Sequence, residues 1–393
     1  MHPIHLCTFL LFVLPRFCAV QAQTIVFGQN NYIEYHIGTL PIVISVPHGG
    51  SLNPASIPNR SCNDPVYATD ANTVEMALDL RNFLYEKTGC YPHVIICQLR
   101  RSKLDANRNL ADAACGNPEA VQAWTEFHQF IDTAQTLAES VFPDQVLYLD
   151  LHGHGNPTPR TELGYLLYDT ELALTDGELN EEPYLSYSSI GELALRNINN
   201  LTHSELLRGE AALGTLLAGS GYDAVPSAAD PSPGIGSNYY SGGYNTATHT
   251  CYAPGNLVNG LQMECPYPGV RDNAANILRF TDSLSNILLR YWSLHKGVDW
   301  SDCLTATALE QTPTDSIALF PNPLPRGQMA LRLSGSLPDE LHFQVFDAGG
   351  RATASGNVVQ GVLVLDVALP AGPYALLLRN EQGYFHRERF IVE

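Results

Sequence analysis

The sequence predicts an α/β protein, with a mixed central sheet and flanking helices, followed by a small all-β sandwich. Three observations predict it. Short apolar runs alternate with helical patterns from about residue 30 to 295. Two of those runs end on a histidine followed by glycine, PIVISVPHGG (41–50) and QVLYLDLHGHG (145–155). Beyond residue 315 the pattern changes to short alternating strands with tight turns.

Taken in order, PIVISV (41–46), HVIICQL (93–99), QVLYLDL (145–151), GYLLY (164–168) and GLQMEC (260–265) read as strands. Residues 71–87 read as a helix with Val74, Ala77, Leu78, Phe83 and Leu84 near one face and Gly89 as its stop. Residues 118–141 and 271–294 are the other two long helices expected. The interval 225–255 is rich in Pro, Gly, Ser and Tyr without a sustained period, and a loop of that length inside a domain is usually functional.

The expected organisation is a signal peptide at 1–22, a catalytic domain at 23–295, a linker at 296–315 and a β-sandwich at 316–393. The apolar run CTFLLFVLP and the small residues up to Ala22 carry the first of these assignments. No other stretch reaches spanning length, so no transmembrane span is expected in the mature chain. The chain has 393 residues and 45% hydrophobic content, enough for a large core. A formal net charge of −19 repels polyphosphate backbones and argues against nucleic-acid binding. Cys62, Cys90, Cys97, Cys115, Cys251, Cys265 and Cys303 remain after the leader, without a CxxC pair. Disulfides in an oxidising compartment are the better reading, with at least one thiol left over by the odd count.

A strand that closes on His-Gly delivers an imidazole to the rim of a sheet, where α/β proteins bind ligands. His48 and His152 are therefore the first two candidate metal ligands. A catalytic zinc typically takes three protein ligands from His and carboxylates and keeps one position open. Asp70 is the candidate third, with an ordinary N-cap of the 71–87 helix as its alternative. His154 reads as a pocket-lining or supporting histidine, or as an alternative ligand. Asp150 lies on the same side of its strand as His152, and either orients that imidazole or joins a structural ion pair. Glu264 follows an apolar stretch, where burial raises a carboxylate pKa, and is the candidate general base; an ion pair with Arg271 is the alternative. Arg100, Arg101, Asn107 and Arg108 form a local basic cluster able to hold a substrate carboxylate, or else a solvated loop.

These motifs resemble, in order, the N-formylglutamate amidohydrolase family and, more distantly, the zinc carboxypeptidase and aspartoacylase superfamily. The carrying residues are PHGG with His48, TDANT with Asp70, RSKLDANR with Asp105, Asn107 and Arg108, DLH with His152, GGYNTATH from Gly242 to His249, and LQMEC with Glu264. The resemblance implies a carboxypeptidase-like sheet and a metal-dependent C–N hydrolase. One Zn²⁺ would sit on His48, Asp70 and His152. Arg101, Asn107, Arg108 and Tyr244 would bind the substrate, with Arg108 and Glu264 acting in catalysis. The substrate implied is an N-acyl amino acid or small peptide with a free carboxylate. A secreted metallopeptidase or peptidoglycan-peptide amidase is the alternative, and a catalytically inactive surface ligand-binding protein is another.

At the other end, LFPNP (319–323), FDAGGR (346–351), LPAGPYALLL (369–378) and the terminal FIVE resemble the C-terminal sorting domain of the type IX secretion system of Bacteroidetes. That resemblance implies the type IX machinery as a partner and a secreted or cell-surface location.

Overall fold

The computed structural model of the chain describes residues 23–300, 318–320, 324–334, 341–347, 351–359, 361–365, 367–379 and 385–393. The expected leader, and residues 301–315 of the expected linker, lie outside them.

Eight strands form one sheet: β1 (Ile25–Phe27), β2 (Ile33–His36), β3 (Ile42–Val46), β4 (His93–Cys97), β5 (Leu147–His154), β6 (Thr161–Gly164), β7 (Ala224–Val225) and β8 (Asn259–Pro266). Their order is β1-β2-β4-β3-β5-β8-β6-β7. The central strands β4, β3, β5 and β8 run parallel, while β2 and β6 add antiparallel on either side, so the sheet is mixed. Central strands covered on both faces are built mainly from apolar residues, and both β3 and β4 are buried throughout.

The two-residue period sorts those side chains between two cores. Ile42, Ile44, Val46, Leu147, Leu149 and Leu151 belong to one core, which they share with helices α1 (Thr73–Thr88) and α4 (Ala274–Lys296). Val43, Ile95 and Tyr148 face the other way, into a core closed by Phe127, Phe130 and Ile131 of α2 (Pro118–Val141). The remaining helix used below, α3 (Tyr244–His249), is short. Asn273 caps α4 by accepting the Asn276 amide, and Gly89 ends α1 in the left-handed conformation (φ 75°) that glycine adopts without strain.

Two local expectations need correction. The buried face of α1 is Met76, Ala77, Leu80 and Leu84, while Phe83 stays at the surface under the Lys87 ammonium. The GYLLY strand is displaced: β6 ends at Gly164. There the 240–242 backbone crosses so closely that no side chain fits, and the Leu166 amide turns to donate to the Ser241 carbonyl.

The C-terminal stretch is all β in its described part. A three-stranded sheet holds β9 (Ala318–Phe320), β10 (Ala330–Ser334) and β13 (Val362–Val364), and a four-stranded sheet holds β11 (His342–Phe346), β12 (Ala352–Asn357), β14 (Gly372–Arg379) and β15 (Phe385–Val392). Phe343, Val345, Leu376, Leu378 and Phe390 share one core with Leu331 and Leu363 of the smaller sheet. Among the described residues no helix is long and apolar enough to cross a membrane.

Candidate metal centre

The carboxyl ends of β3, β5 and β8 meet at the middle of the sheet, and the candidate site is built there. Pairing of β5 with β8 sets His152 directly beside Glu264 and Asp150 beside Gln262, while pairing of β3 with β5 sets Ser45 beside Asp150. Tyr148, Asp150, His152 and His154 alternate with leucines, so they emerge on the α2 side of β5. His48 arrives two residues after β3 and is 1% exposed; His152 is 2% exposed.

Each histidine is held by a carboxylate on one nitrogen and turns the other toward Asp70. His48 Nε2 donates to Asp105 Oδ1 (2.6 Å), and its Nδ1 lies 3.5 Å from Asp70 Oδ2. His152 Nε2 donates to Asp150 Oδ2 (2.8 Å), and its Nδ1 lies 3.1 Å from the same Asp70 oxygen. These tautomers follow from the hydrogen-bond network. Among the described residues the His48 Nδ1 has no hydrogen-bond partner, and it is buried. An unpaired lone pair in the interior costs about 1–3 kcal/mol unless something satisfies it. His48, Asp70 and His152 each bring a ligand atom within 4.8 Å of the others, and all three residues are buried. Two imidazole nitrogens and one carboxylate oxygen, each imidazole oriented by a second carboxylate, are the donor set of a zinc site. The residues fit the ion.

Asp70 does not cap the helix. Asn72 occupies the N-cap of α1, and the Asp70 carbonyl accepts from Thr73, which leaves the carboxylate free to face both histidines and the Gly153 amide (3.2 Å). Burial would raise its pKa, but the adjoining His152 and His48 hold it well below the usual carboxylate range.

Glu264 stands at the edge of this cluster, with Oε1 3.8 Å from His152 Nδ1 and accepting from Gln262 Nε2 at 2.9 Å. Burial, reinforced by the nearby Asp70 carboxylate and opposed by the two histidines, pushes its pKa up to about 7. Arg271 is not its partner. That guanidinium donates to the carbonyls of Cys265, Ala71 and His154, and it fills the space beside Gly153 where a side chain would project.

The basic cluster is organised differently from the expectation. Asp105, fully buried, gathers Arg101 Nε (3.0 Å), Arg108 Nε (3.3 Å) and Arg60 Nη2 (3.4 Å) around its Oδ2. Arg108 spends its other two nitrogens on the Asn63 and Asp64 carbonyls, so it braces a loop and offers no open fork to a substrate. Asn107 is committed as well: its Oδ1 accepts the Asn245 amide (2.8 Å) and its Nδ2 lies 3.2 Å from His152 Nε2 and 3.4 Å from Gln262 Oε1. Arg101, like Arg108, reaches Asp105 through Nε and is partly open to solvent, but among the described residues its two terminal nitrogens take no hydrogen bond. Tyr244, expected over the ligand, packs its ring against His128 (5.6 Å) and Trp124 (6.1 Å) instead. His154 has both nitrogens occupied, by the Asn156 amide and the Arg160 carbonyl, and supports the turn rather than the metal.

Three contributors escaped the sequence reading. Arg60 comes from an irregular segment with no signal, Gln262 had only its two-residue spacing from Glu264, and Tyr240 lay in the long Pro/Gly-rich interval. Burial, reinforced by the carboxylates of Glu264, Glu162 and Asp70, raises the pKa of the Tyr240 phenol. A disulfide joins Cys62 to Cys115, while Cys97, Cys251 and Cys265 are unpaired.

No family model matches the chain, and no curated protein does. Among solved structures, a metallo-carboxypeptidase from Pseudomonas aeruginosa in complex with (2-guanidinoethylmercapto)succinic acid is similar at 10% identity and a TM-score of 0.31. That match covers 68% of this chain and 64% of the carboxypeptidase, just under two thirds of its length. CopC from Methylosinus trichosporium OB3b is similar over 20% of this chain and 94% of its own, at 14% identity and a TM-score of 0.16. Likenesses this slight leave the chemistry to be read from the side chains.

Proposed function

We propose that the protein is a zinc-dependent hydrolase that cleaves the amide C–N bond of an N-acyl amino acid or small peptide carrying a free carboxylate. The observation that carries this reading is the buried, unpartnered Nδ1 of His48, turned with His152 Nδ1 toward one oxygen of Asp70.

His48, Asp70 and His152 would hold one zinc ion, which supplies Lewis-acid activation of water and of the scissile carbonyl. Asp105 and Asp150 keep the two imidazoles in the tautomer whose Nδ1 lone pair is available. Glu264 has the position and acidity of a general base and acid: with a pKa near 7 it takes a proton from the attacking water and returns it to the leaving nitrogen. Arg101, anchored through Nε, is the guanidinium that pairs with the substrate carboxylate. Arg108 and Asn107 hold that frame in place.

Export is part of the same proposal. The leader-like 1–22 segment, the sorting-domain motifs and the Cys62–Cys115 disulfide all support a secreted or cell-surface protein that passes through the type IX machinery.

The test is metal analysis of the purified protein together with a mass-spectrometric screen of N-formyl and N-acyl amino acids against short peptides. One zinc per chain and turnover of acyl amino acids are expected, with both lost in His152→Ala and turnover alone lost in Glu264→Ala. Turnover of peptides only makes it a peptidase. Protein that takes up no stoichiometric zinc overturns the reading.

A further inference from the structure

Glu162 is buried on β6, directly opposite Glu264 in the antiparallel register. No cation pairs with it among the described residues; both of its oxygens are taken by neutral donors. Oε1 accepts from Asn156 Nδ2 (2.9 Å) and Oε2 accepts the backbone N–H of Tyr240 (3.0 Å). A buried carboxylate without a counter-ion is costly, so its hydrogen bonds must be well made.

Those two bonds are the middle of a seam. Asn238 Nδ2 donates to Asn156 Oδ1 (2.6 Å), the Tyr239 hydroxyl donates to the Leu163 carbonyl (2.6 Å), and Arg160 pairs with Asp230 (2.6 Å). Together with the Leu166 amide on Ser241, they fasten the long irregular segment along the edge of β6. One of its anchors is Tyr240, whose ring centroid lies 6.3 Å from that of His154 and whose amide is held by the residue that pairs across the sheet with Glu264. A loop pinned this way presents its side chain in one place and pays no ordering entropy when a ligand binds.

We propose that Glu162 is a positioning residue: by accepting the Tyr240 amide it fixes that tyrosine as a stationary wall of the metal centre, and the Tyr240 hydroxyl bonds the polar end of the substrate. This rests on the hydrolase reading above and adds the group that sets how the substrate lies.

The test combines hydrogen exchange with a double-mutant cycle on the zinc-loaded full chain. In Glu162→Gln one of the two bonds is lost, because an amide NH₂ cannot accept; the segment loses an anchor either way, directly at Tyr240 or through Asn156, which holds Asn238. The peptide covering 236–243 should then exchange about tenfold faster, and kcat/KM should fall about tenfold, mostly in KM, with zinc content unchanged. In a Tyr240→Phe background the same substitution should change kcat/KM less than about twofold, since its effect passes through the hydroxyl. Equal losses in both backgrounds, or unchanged exchange in Glu162→Gln, overturn the proposal. Tyr240→Phe leaves the backbone bond intact and keeps the test open if Glu162→Gln does not fold: it must lower kcat/KM by about fivefold or more on its own, and undiminished activity also overturns the proposal. Wild type that holds zinc but turns over nothing sinks the hydrolase reading, while faster exchange in Glu162→Gln still upholds the Glu162–Tyr240 link. Turnover with unchanged exchange does the reverse.

Discussion

The His48 side and the His152 side of the candidate metal centre are built alike from different materials. Both imidazoles give Nε2 to a buried aspartate and turn Nδ1 toward Asp70. Asp105, behind His48, is surrounded by the guanidiniums of Arg60, Arg101 and Arg108. Asp150, behind His152, has only neutral donors besides that histidine among the described residues: Ser45 Oγ at 2.6 Å and Asn245 Nδ2 at 3.2 Å. Burial opposes ionisation at both, and both end below the usual carboxylate range. At Asp105 the histidine and two of the arginines do this; at Asp150 it is the histidine and two hydrogen bonds. A buried carboxylate can thus be kept ionised by charge or by hydrogen bonds, and the two solutions fail differently. Losing the first strands several charges; losing the second strands a few dipoles.

Stability should show the largest difference. Asp105→Ala leaves three guanidiniums facing one another and should cost about 3–5 kcal/mol in denaturant unfolding of the zinc-free protein. Asp150→Ala should cost about 1–3 kcal/mol in the same measurement. The reverse order would break the comparison.

Zinc affinity is the second measure. Asp150→Asn turns one of two accepting oxygens into a donor, so either His152 Nε2 or the Ser45 and Asn245 donors lose their acceptor, and competition with a chelator should show affinity weakened by about 10–100-fold.

Acid should act on the Asp150 side through α3. Asn245, at the start of that helix, contacts Asp150, and at its end His249 Nε2 accepts from His128 Nδ1 (2.7 Å) while His249 Nδ1 faces Asp132 (3.1 Å). Burial and the adjoining His249 push His128 down to about 3, from the ordinary 6.5. Below pH 6.5 the unfolded chain therefore binds a proton that the folded chain refuses. This contribution to stability is complete above pH 6.5 and shrinks as pH falls toward 3, with about 2 kcal/mol gone by pH 5. His128→Asn should flatten that part of the stability profile, measured as unfolding midpoint against pH; an unchanged slope would remove the acid weakness assigned to this side.

The smallest effect is expected at Tyr244. Its ring packs on aromatic neighbours, so Tyr244→Phe should change unfolding by less than about 0.5 kcal/mol and kcat/KM by less than about twofold.

Legibility followed the same division. Both strand-His-Gly turns and Glu264 were readable because a strand's period and its glycine are local features. The two roles that Asp70 could take were readable too, but choosing between them needed the position of His48, far off in sequence. Arg108 and Asn107 stood out as residue types able to bind a carboxylate. That they are consumed by Asn63, Asp64 and Asn245 depends on contacts across the fold, which no spacing encodes. Glu162 and Tyr240 meet only because β6 adds antiparallel to β8 and the 226–243 segment returns along it. Phe83 was misplaced on α1 for a simpler reason, since the helix turns its Met76–Leu80–Leu84 stripe inward.

Arg271 touches none of the proposed ligands, yet its three carbonyl partners are the residue after Asp70, the residue after Glu264 and the second residue after His152. A chance substitution there would let three separate segments drift together, and a screen that scores only activity would label it a catalytic position. The hub of this centre is a residue whose guanidinium is taken up by three backbone carbonyls, and a survey of natural or engineered variants should treat position 271 as part of the frame rather than the chemistry.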